Sequence, residues 1–421
     1  MNKLMDEIKE IRECRGCGSG QLIQIISFGN QYVTNFVDKD NSEQIKCPLD
    51  LVICKNCKLV QLKHNAPPES MWDEQYWYKS GISSTIREDL KDIVEASRKI
   101  LPPQKGDVVV DIGCNDGTLL SFYGKGDFET VGFEPSKNVA RDATAKGLKV
   151  INNFFNYNDY KKEFSDKKAK IITAISMFYD LEDPNSFMRD IVSCLDKKGL
   201  LVIQQNYLLT MLTNNAFDNV CHEHREYYSL LSFKKLLDKF GLEVFDVKQN
   251  GINGGSIRTY IKFKDNNEMK GFPGSAERII EIERKEKEMG LDTLKPYFDF
   301  ASRIGKIKED LLEFITREKK SGKEICAYGA STRGNVILQY FNLNDKLISY
   351  IADKNPDKWG KRTVGSLIPI ISPEKMRKVN PDYILVMVWH FFDEIKDQEK
   401  TYFEKGGKFI VPLPEFKVIQ N

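Results

Sequence analysis

Four of the nine cysteines form two closely spaced pairs whose thiols could bind a metal ion. Cys14 and Cys17 flank one Cys-x-x-Cys turn, and Cys54 and Cys57 flank another after 36 intervening residues. Neighbouring Lys and Arg charges and backbone N–H groups favour the thiolate form, which binds zinc. Two such turns can surround one ion with four sulfurs and leave no position for water, so the sequence predicts a structural zinc site. The alternative is two unrelated pairs of free thiols.

Two of the four histidines, His222 and His224, stand on either side of Glu223 in the segment FDNVCHEHREYY. A histidine beside a carboxylate can act as a general base, because the acid tunes the pKa of the imidazole. The same residues could instead be structural histidines or ligands of a metal ion. The metal alternative is the weakest, because the i, i+4 spacing of helical zinc proteases is absent.

A glycine loop, IGCNDG, follows an apolar strand that ends at Asp111, and a helix begins near Thr118. The glycines let backbone N–H groups approach a ligand at the carboxyl end of the strand. Glu134 ends the next strand, where an acid can accept hydrogen bonds from both hydroxyls of a ribose. The Gly-x-x-x-Gly spacing departs from the GxGxxG of dinucleotide sites and favours S-adenosylmethionine. The alternative is a purely structural turn that connects the strand to the helix.

The predicted contacts to this cofactor come from loops that follow the first four strands of one sheet. An adenine would lie near Asn153 and Phe154, after the third strand, and Met177 begins the loop after the fourth. The complete predicted set is Asp111, Gly113, Asn115, Asp116, Gly117, Glu134, Pro135, Asn153, Phe154 and Met177.

A second glycine loop, YGASTRGN, lies between a strand and a helix near the end of the chain. Its backbone N–H groups and Arg333 could hold a diphosphate at the helix N-terminus. Asp353, at the end of the following strand, could bind a nucleoside ribose. These residues could serve a second cofactor or a nucleotide-bearing substrate, or the unit could be used only for packing.

The pattern of elements indicates how these loops are positioned. Residues 83–101 repeat apolar side chains at helical spacing, and apolar strands alternate with helical stretches from Val108 onwards. Such alternation predicts parallel sheets covered by helices. SFKKLLDKFGLEVFDVKQNGINGGSIRTYIKF predicts a helix and two antiparallel edge strands, and residues 275–319 predict two connecting helices.

Length and composition restrict the class of protein. The 421 residues predict two or three domains, and 29% charged with 41% apolar residues is typical of a globular protein. The net charge of +2 gives no basic surface that predicts nucleic-acid binding, so a small molecule is the expected partner. No apolar run reaches the length of a membrane span, and the charged first residues favour a cytoplasmic protein.

Taken together, the cysteine pairs, SFGNQYVTNF, DIGCNDGTLL, GFEPSKNVA, CHEH and YGASTRGN resemble the S-adenosylmethionine-dependent sugar C-methyltransferases, which make branched deoxysugars. The resemblance covers essentially the whole chain. It implies an α/β protein with a zinc-binding N-terminal module in residues 1–70, a class I methyltransferase Rossmann-like domain in 71–265 and a C-terminal Rossmann-like domain in 266–421. A nucleotide-linked keto-sugar would bind in the cleft between the domains.

The resemblance also implies roles for individual residues. His224 and Glu223 would be the catalytic pair, with His222 and Tyr76 nearby, and the zinc ligands would be the paired cysteines. The expected substrate contacts are Tyr78, Asn206, Ser331, Arg333, Asn335 and Asp353. Two positions depart from the better-known members, which carry Tyr where this chain has Cys221 and a histidine where it reads Met177 to Glu182.

The expected reaction is methyl transfer to a sugar carbon, C3 beside a C4 ketone, through an enolate that a base generates. Because of the two departures, a different acceptor remains an alternative. A nicotinamide-dependent nucleotide-sugar oxidoreductase or epimerase is a second alternative, and a non-enzymatic zinc-ribbon adaptor is a third. No oligomeric surface is evident in the sequence, which is compatible with a monomer.

Overall fold

The computed structural model describes residues 8–33, 36–38, 44–71, 76–124 and 126–421. Thr34 and Asn35 of the motif SFGNQYVTNF lie outside these residues, as do residues 1–7 of the expected zinc module. The described chain forms three parts that follow one another in sequence, and each has its own sheet.

The first part is a small module of antiparallel strands. These strands are β1 (Lys9–Glu10), β2 (Leu22–Tyr32), β3 (Phe36–Val37), β4 (Lys46–Cys54), β5 (Val60–Leu62) and β6 (His64–Asn65). β2 pairs with β4, which pairs with β5. The amide of Gly18 donates to the Cys14 carbonyl at 2.8 Å and that of Lys58 to the Cys54 carbonyl at 3.0 Å. These matching bonds close the two cysteine turns.

The second part begins with a long helix and continues as alternating strands and helices. Its elements are α1 (Ser84–Ile100), β7 (Val108–Ile112), α2 (Thr118–Ser121), β8 (Glu129–Phe133), α3 (Lys137–Ala145), β9 (Val150–Ile151), α4 (Tyr157–Phe164), β10 (Ala169–Ile175), α5 (Pro184–Cys194), β11 (Leu195–Asn206), α6 (Leu208–Thr213), β12 (Glu226–Tyr227), α7 (Leu230–Asp238), β13 (Leu242–Asn250) and β14 (Ser256–Phe263). Short 3-10 turns lie at Phe178–Asp180 and Phe217–Asn219.

α1 shows how the sequence specifies a helix in this part. The Ser83 hydroxyl accepts a hydrogen bond from the Ile86 amide and caps the N-terminus. Ile86, Leu90 and Ile93 are buried at helical spacing, so one face packs on the domain. The helix ends before Pro102, because the residue preceding a proline disfavours the helical conformation.

Seven of these strands form one sheet in the order β13-β14-β11-β10-β7-β8-β9. The strands from β11 to β9 are parallel, and β14 and β13 add the antiparallel edge that the sequence predicts. Val108 and Val110 face one apolar cluster and Val109 faces another, so both sides of the sheet are covered. Since β8 and β10 lie on opposite sides of β7, a crevice opens at the carboxyl ends of these strands.

The third part starts with the two predicted connecting helices and contains a second, mostly parallel sheet. Its elements are α8 (Ser275–Met289), α9 (Lys295–Lys320), β15 (Ile325–Tyr328), α10 (Thr332–Tyr340), β16 (Ile351–Ala352), β17 (Arg362–Thr363), β18 (Ile370–Ile371), α11 (Pro373–Val379), β19 (Tyr383–Val386), α12 (Phe392–Gln398), α13 (Lys400–Glu404), β20 (Lys408–Val411) and β21 (Lys417–Ile419). The sheet order is β18-β16-β15-β19-β20-β21, with only β21 antiparallel among these described strands.

Backbone pairing joins the three parts. β12 of the second part pairs antiparallel with β5 of the first, and β17 of the third pairs with β3. One apolar cluster contains buried side chains from all three parts, including Phe28, Phe217 and Ile337. The expected boundaries at residues 70 and 265 fall between elements and stay a prediction. Within the described residues, no helix has the length and apolar character needed to cross a membrane.

Candidate functional site

The four paired cysteines come together in the first part. Their sulfurs all lie within 4.8 Å of one another, with 3.5 Å between Cys14 and Cys57 and 3.6 Å between Cys17 and Cys54. The Gln61 amide donates to the Cys14 sulfur at 3.2 Å, which favours a thiolate. Four sulfurs at these distances suit a tetrahedral zinc ion and leave no position for a substrate.

A cavity of about 330 Å³ lies at the carboxyl ends of β7, β8 and β10, where the sheet order reverses. Its wall combines acidic side chains with apolar and aromatic ones. The residues that carry the argument below are Tyr76, Tyr78, Asp111, Gly113, Asn115, Glu134, Pro135, Phe154, Phe155, Met177 and Asp180.

Asp111 lies at the innermost end of the cavity and is 3% exposed. Its carboxylate accepts a hydrogen bond from the Thr173 hydroxyl at 2.6 Å. Burial raises the pKa of Asp111 to about 7, and the nearby charge of Glu134 acts in the same direction. A cationic ligand group would favour the charged form, so this position suits the ammonium of an amino acid.

Glu134 and Asn115 connect the glycine loop to neighbouring segments. The Glu134 carboxylate accepts hydrogen bonds from the amides of Asn115, at 3.0 Å, and Ser136, at 2.8 Å. The Asn115 side chain accepts from the Ser80 amide at 2.9 Å and donates to the Tyr78 carbonyl at 3.1 Å. These bonds fasten the aromatic segment at residues 76–78 to the cofactor loop.

Two other residues of the glycine loop, Asp116 and Gly117, stabilise its backbone conformation. Gly117 has a φ of 74°, and a Cβ there would lie 2.3 Å from Leu148, so this position requires glycine. The Asp116 carboxylate accepts from the Thr118 amide and hydroxyl and forms an ion pair with Lys146 at 3.3 Å. The structure therefore gives Asp116 and Gly117 a role in shaping the loop, where the sequence predicted contact with the cofactor.

Asn153 is also placed differently from the prediction. Its side-chain amide donates to Asp159 at 2.7 Å, and the residue is not among the described residues of the cavity wall. Phe154, which follows it, does line the cavity and is 53% exposed. The aromatic ring therefore supplies the surface for a base in place of the asparagine.

His224 is half-buried in the loop before β12, and its ring packs edge-on against Tyr179 with 4.5 Å between centroids. Nδ1 lies 2.8 Å from the Asn219 carbonyl. Because a carbonyl only accepts, Nδ1 carries the hydrogen and Nε2 is left with a basic lone pair. Burial lowers the pKa of His224 to about 3, so the imidazole is neutral at physiological pH.

His222 is held by the zinc module, and its catalytic role stays a prediction. Its Nε2 lies 3.0 Å from the carbonyl of Cys47 in β4, and the residue is 5% exposed. His222 and Glu223 lie in a turn that is closed by the His224 amide donating to the Cys221 carbonyl at 3.0 Å, and His222 anchors this turn to the zinc module. Glu223 accepts a hydrogen bond from the Thr332 hydroxyl in the third part at 3.5 Å.

Arg333 is engaged in an internal ion pair. Its guanidinium lies 2.6 Å from the carboxylate of Asp218, which is fully buried, and it donates to the Asn253 carbonyl at 2.6 Å. Asp218 also accepts from the Trp389 indole at 3.1 Å. Asp218 therefore already neutralises the guanidinium, and contact of Arg333 with a diphosphate stays a prediction.

The remaining predicted substrate residues are spread over several elements. Ser331 caps α10 by accepting from the Gly334 amide at 2.9 Å, and Asn335 is buried one turn later. Asp353 forms an ion pair with Lys358 at 3.2 Å. Asn206 donates to the Asn219 side chain at 3.2 Å, which places it behind the His224 loop. Tyr78 lines the cavity, so the structure gathers only part of the predicted set there.

Comparison with known proteins identifies the chain. Three family models match it in succession: "Putative zinc binding domain" over residues 14–72, "Methyltransferase domain" over 83–247 and "C-methyltransferase C-terminal domain" over 251–414. C-methyltransferase NovU of Streptomyces niveus is 30% identical over 426 residues, which cover 99% of each chain. The chain belongs to the C-methyltransferase family.

Solved methyltransferases are similar to a portion of this C-methyltransferase. The plantazolicin methyltransferase BpumL in complex with SAH is 13% identical, with a TM-score of 0.33 over 41% of this chain and 82% of its own. An S-adenosylmethionine-dependent methyltransferase from Clostridium acetobutylicum is 13% identical, with a TM-score of 0.33 over 44% and 93% of the two chains.

The cofactors of this C-methyltransferase are S-adenosylmethionine and zinc, and the observed sites suit both. Asp111 and Glu134 offer carboxylates for an ammonium and for ribose hydroxyls, while Phe154 and Phe155 offer apolar surface for adenine. Gly113, with a φ of 69°, leaves room beside Met177, because a Cβ there would lie 3.0 Å from its side chain.

Several residues of the C-methyltransferase site were not identified from the sequence. Tyr179 and Asp180 lie in the 3-10 turn after β10, beside His224 and the cavity. Arg225 also lines the cavity and is 2% exposed. An acid and a tyrosine that directly follow a parallel strand were the available signal for the first two, whereas the backbone contact of Asn219 with His224 had none.

Proposed function

We propose that this C-methyltransferase transfers the methyl group of S-adenosylmethionine to a carbon beside the ketone of a nucleotide-linked sugar, C3 next to C4. The observation that carries the proposal is the tautomer of His224, whose Nε2 lone pair is available because Nδ1 donates to the Asn219 carbonyl. Carbon methylation needs a nucleophilic carbon, and a base beside a ketone generates one by removing a proton.

His224 performs the first step of the proposed reaction. Its Nε2 takes the proton from the sugar carbon, the C–H electrons form a carbon–carbon double bond, and the carbonyl electrons move to oxygen. S-adenosylmethionine supplies an electrophilic methyl group on its sulfonium. Bound beside the enolate carbon, that methyl group would be available for transfer, with the electron pair of the S–CH3 bond left on sulfur. Glu223 then stabilises the imidazolium, since an acid nearby favours the charged form.

The aromatic residues beside the cavity suit a sugar. Tyr76 lines the cavity, and burial with the charges of Glu223 and Asp180 raises the pKa of its phenol well above the ordinary value. A neutral phenol can donate a hydrogen bond to a sugar oxygen. Its backbone is held in place by Asn138, whose side chain bonds both the Tyr76 amide, at 3.0 Å, and carbonyl, at 2.9 Å.

A surface between the first and third parts supports the nucleotide portion of the proposed substrate. The rings of Phe36 and Trp77 meet edge to face with 5.5 Å between centroids. Lys358 lies 5.3 Å from the Phe36 ring and Lys361 lies 5.4 Å from the Trp77 ring. Aromatic faces can stack on a base. Lys358 pairs with Asp353 at 3.2 Å and Lys361 with Asp38 at 2.8 Å, so a phosphate would have to share these ammonium groups with the two acids. Trp77 directly follows Tyr76, which connects this surface to the cavity.

The experiment is incubation of the protein with candidate nucleotide-linked 4-keto-sugars in heavy water, with and without S-adenosylmethionine, followed by mass spectrometry. We expect exchange of one carbon-bound proton without the donor and gain of one methyl group with it. If the donor binds but no keto-sugar exchanges or gains mass, the acceptor is a different compound and the sugar assignment is wrong.

A further inference from the structure

Asp180 presents an unexplained polar atom in the wall of the cavity. It ends the 3-10 turn that follows β10, and its side chain lines the cavity together with Tyr76 and Met177. The Oδ1 atom is buried and has no hydrogen-bond partner among the described residues. A buried oxygen without a partner costs free energy, so a ligand that pairs with it gains affinity or reactivity there.

The charges around Asp180 determine its protonation state. Burial raises the pKa of Asp180 well above the ordinary value, and the carboxylates of Glu223 and Glu226 act in the same direction. Arg225 opposes them, but its guanidinium also forms an ion pair with Glu182 at 3.4 Å. The other titratable groups that interact with the charge of Asp180 are the phenols of Tyr76, Tyr179 and Tyr227 and the thiol of Cys221, and the pKa of each is raised.

A neutral carboxylic acid differs from a carboxylate in what it can do. It has an O–H group that donates a hydrogen bond, whereas a carboxylate only accepts. In a water-poor site, a donor aimed at an oxygen that gains negative charge stabilises the transition state of enolisation. Asp180 directly follows Tyr179, whose ring packs against the His224 imidazole with 4.5 Å between centroids.

We propose that Asp180 is a catalytic residue that donates a hydrogen bond to the carbonyl oxygen of the acceptor while His224 removes the proton from the adjacent carbon. The assignment rests on the proposed function, because it requires an acceptor with a carbonyl group. As the C–H bond breaks, its electron pair forms the carbon–carbon double bond, and the carbonyl electrons become an oxyanion bonded to the Asp180 hydroxyl. Methyl transfer reverses this electron shift, and the hydroxyl keeps its proton.

The first measurement determines the protonation state without any substrate. Infrared spectra of the full-length protein at pH 7, for wild type minus Asp180→Asn, should contain the carbonyl stretch of a protonated carboxylic acid. Absence of that band overturns the proposal. If the band is present but the wild type exchanges no carbon-bound proton of any keto-sugar, Asp180 is a neutral acid and the proposed function is wrong. The two failures are therefore distinguishable.

The second measurement compares proton exchange into a 4-keto-sugar. Asp180→Ala should lower kcat about 10²–10³-fold with little change in KM, because one oxyanion donor is lost. Asp180→Asn keeps an N–H donor and should retain activity within about tenfold of the wild type. Equal losses in both variants overturn the proposal, because they show that a charged carboxylate is required.

Controls separate catalysis from folding. S-adenosylmethionine affinity should be the same in the wild type and both variants, and a loss of affinity would indicate a structural role and overturn the assignment. Asp166→Asn makes the same chemical change on an exposed loop residue of the same domain and should leave exchange unchanged. The alkaline decline of kcat/KM that deprotonation of Asp180 causes should disappear in Asp180→Asn.

Discussion

At the scale of single residues, the backbone of Asn219 determines how His224 can react. The hydrogen bond of 2.8 Å selects one tautomer, and burial keeps the ring neutral by lowering the pKa of His224 to about 3. The low pKa also means that the protonated state costs free energy until substrate and Glu223 surround it. The site is therefore arranged for a proton transfer that is followed quickly by methyl transfer.

Substitution of the two histidines of the His-Glu-His segment should have different effects, one on turnover and the other on thermal stability. His224→Asn should lower proton exchange and methyl transfer at least about 10²–10⁴-fold, because a general base is removed, while calorimetry should find unchanged S-adenosylmethionine affinity. His222→Asn is the matched variant and should lower the Tm, since its contact with Cys47 is buried, with far less effect on kcat of the folded protein. Normal turnover in His224→Asn would remove it from the mechanism.

The raised pKa of Asp111 predicts that cofactor binding depends on pH. Its pKa is raised from 3.8 to about 7, so without ligand the folded protein holds this proton more tightly than the unfolded chain. Its contribution to stability therefore falls as pH rises from 3.8 to about 7. A cationic ligand favours the carboxylate, so S-adenosylmethionine affinity should rise between about pH 6 and 8.

Isothermal titration calorimetry in buffers of different ionisation enthalpy measures the proton released on binding. Asp111→Asn should bind more weakly and lose both the pH dependence and the proton release. The exposed Asp166→Asn is the control and should behave like the wild type. An affinity of the wild type that is constant across this range would contradict the prediction.

At the scale of elements, the zinc module contributes directly to the position of the catalytic loop. Glu226 and Tyr227 in β12 pair with Gln61 and Val60 in β5, and the Leu62 amide donates to the Arg225 carbonyl at 2.9 Å. β5 begins three residues after Cys57, the last cysteine of the cluster. A zinc ion bound by the four cysteines would therefore stabilise the strand that pairs with β12, next to the His224 loop.

Loss of zinc should consequently impair catalysis as well as stability. Cys54→Ser removes one of four thiolates and should abolish stoichiometric zinc, measured by atomic absorption, and lower the Tm by about 2–4 °C for each kcal/mol lost. Turnover should fall more than S-adenosylmethionine affinity, because the cofactor cavity lies on the other sheet. Cys194→Ser, at a buried cysteine outside the cluster, is the matched control. Full turnover of a zinc-free protein would refute this coupling.

At the scale of the whole molecule, a buried ion pair connects the catalytic loop to the third part. Asp218 precedes Asn219 in the 3-10 turn, and its carboxylate lies 2.6 Å from the Arg333 guanidinium at the start of α10. The Trp389 indole, from the turn after β19, donates to the same carboxylate. The third part thus supports the residue whose carbonyl orients His224.

Breaking this pair should destabilise the protein strongly. Asp218→Asn leaves the Arg333 charge without its buried partner and should cost about 3–5 kcal/mol in the free energy of unfolding, measured by urea denaturation. The double variant Asp218→Asn with Arg333→Met should cost less, because no unpaired charge remains. Asp357→Asn, on a half-exposed side chain, is the control. Additive losses in the double variant would contradict the coupling.

Much of the fold could be predicted, because local patterns specify it. The helical spacing of Ile86, Leu90 and Ile93, the apolar strands and the glycine turns are readable within windows of a few residues. The turns at Cys14 and Cys54 could be predicted as metal-binding turns because metal binding depends on the spacing of the cysteines within each turn. The partners of Asn153 and Arg333 could not be predicted, since Asp159 and Asp218 are acids whose position depends on packing.

The sequence by itself determined the class of fold, the cysteine cluster and the cofactors, and it predicted the segment that carries the proposed base. Each of these depends on residues close together in the chain. Only the tertiary structure decided that His222 contacts the Cys47 carbonyl, that the Asn219 carbonyl selects the tautomer of His224 and that Asp180 holds a buried oxygen with no partner among the described residues. The physical reason is that tautomer, burial and charge depend on neighbours from distant segments, which the sequence does not bring together until the chain is folded.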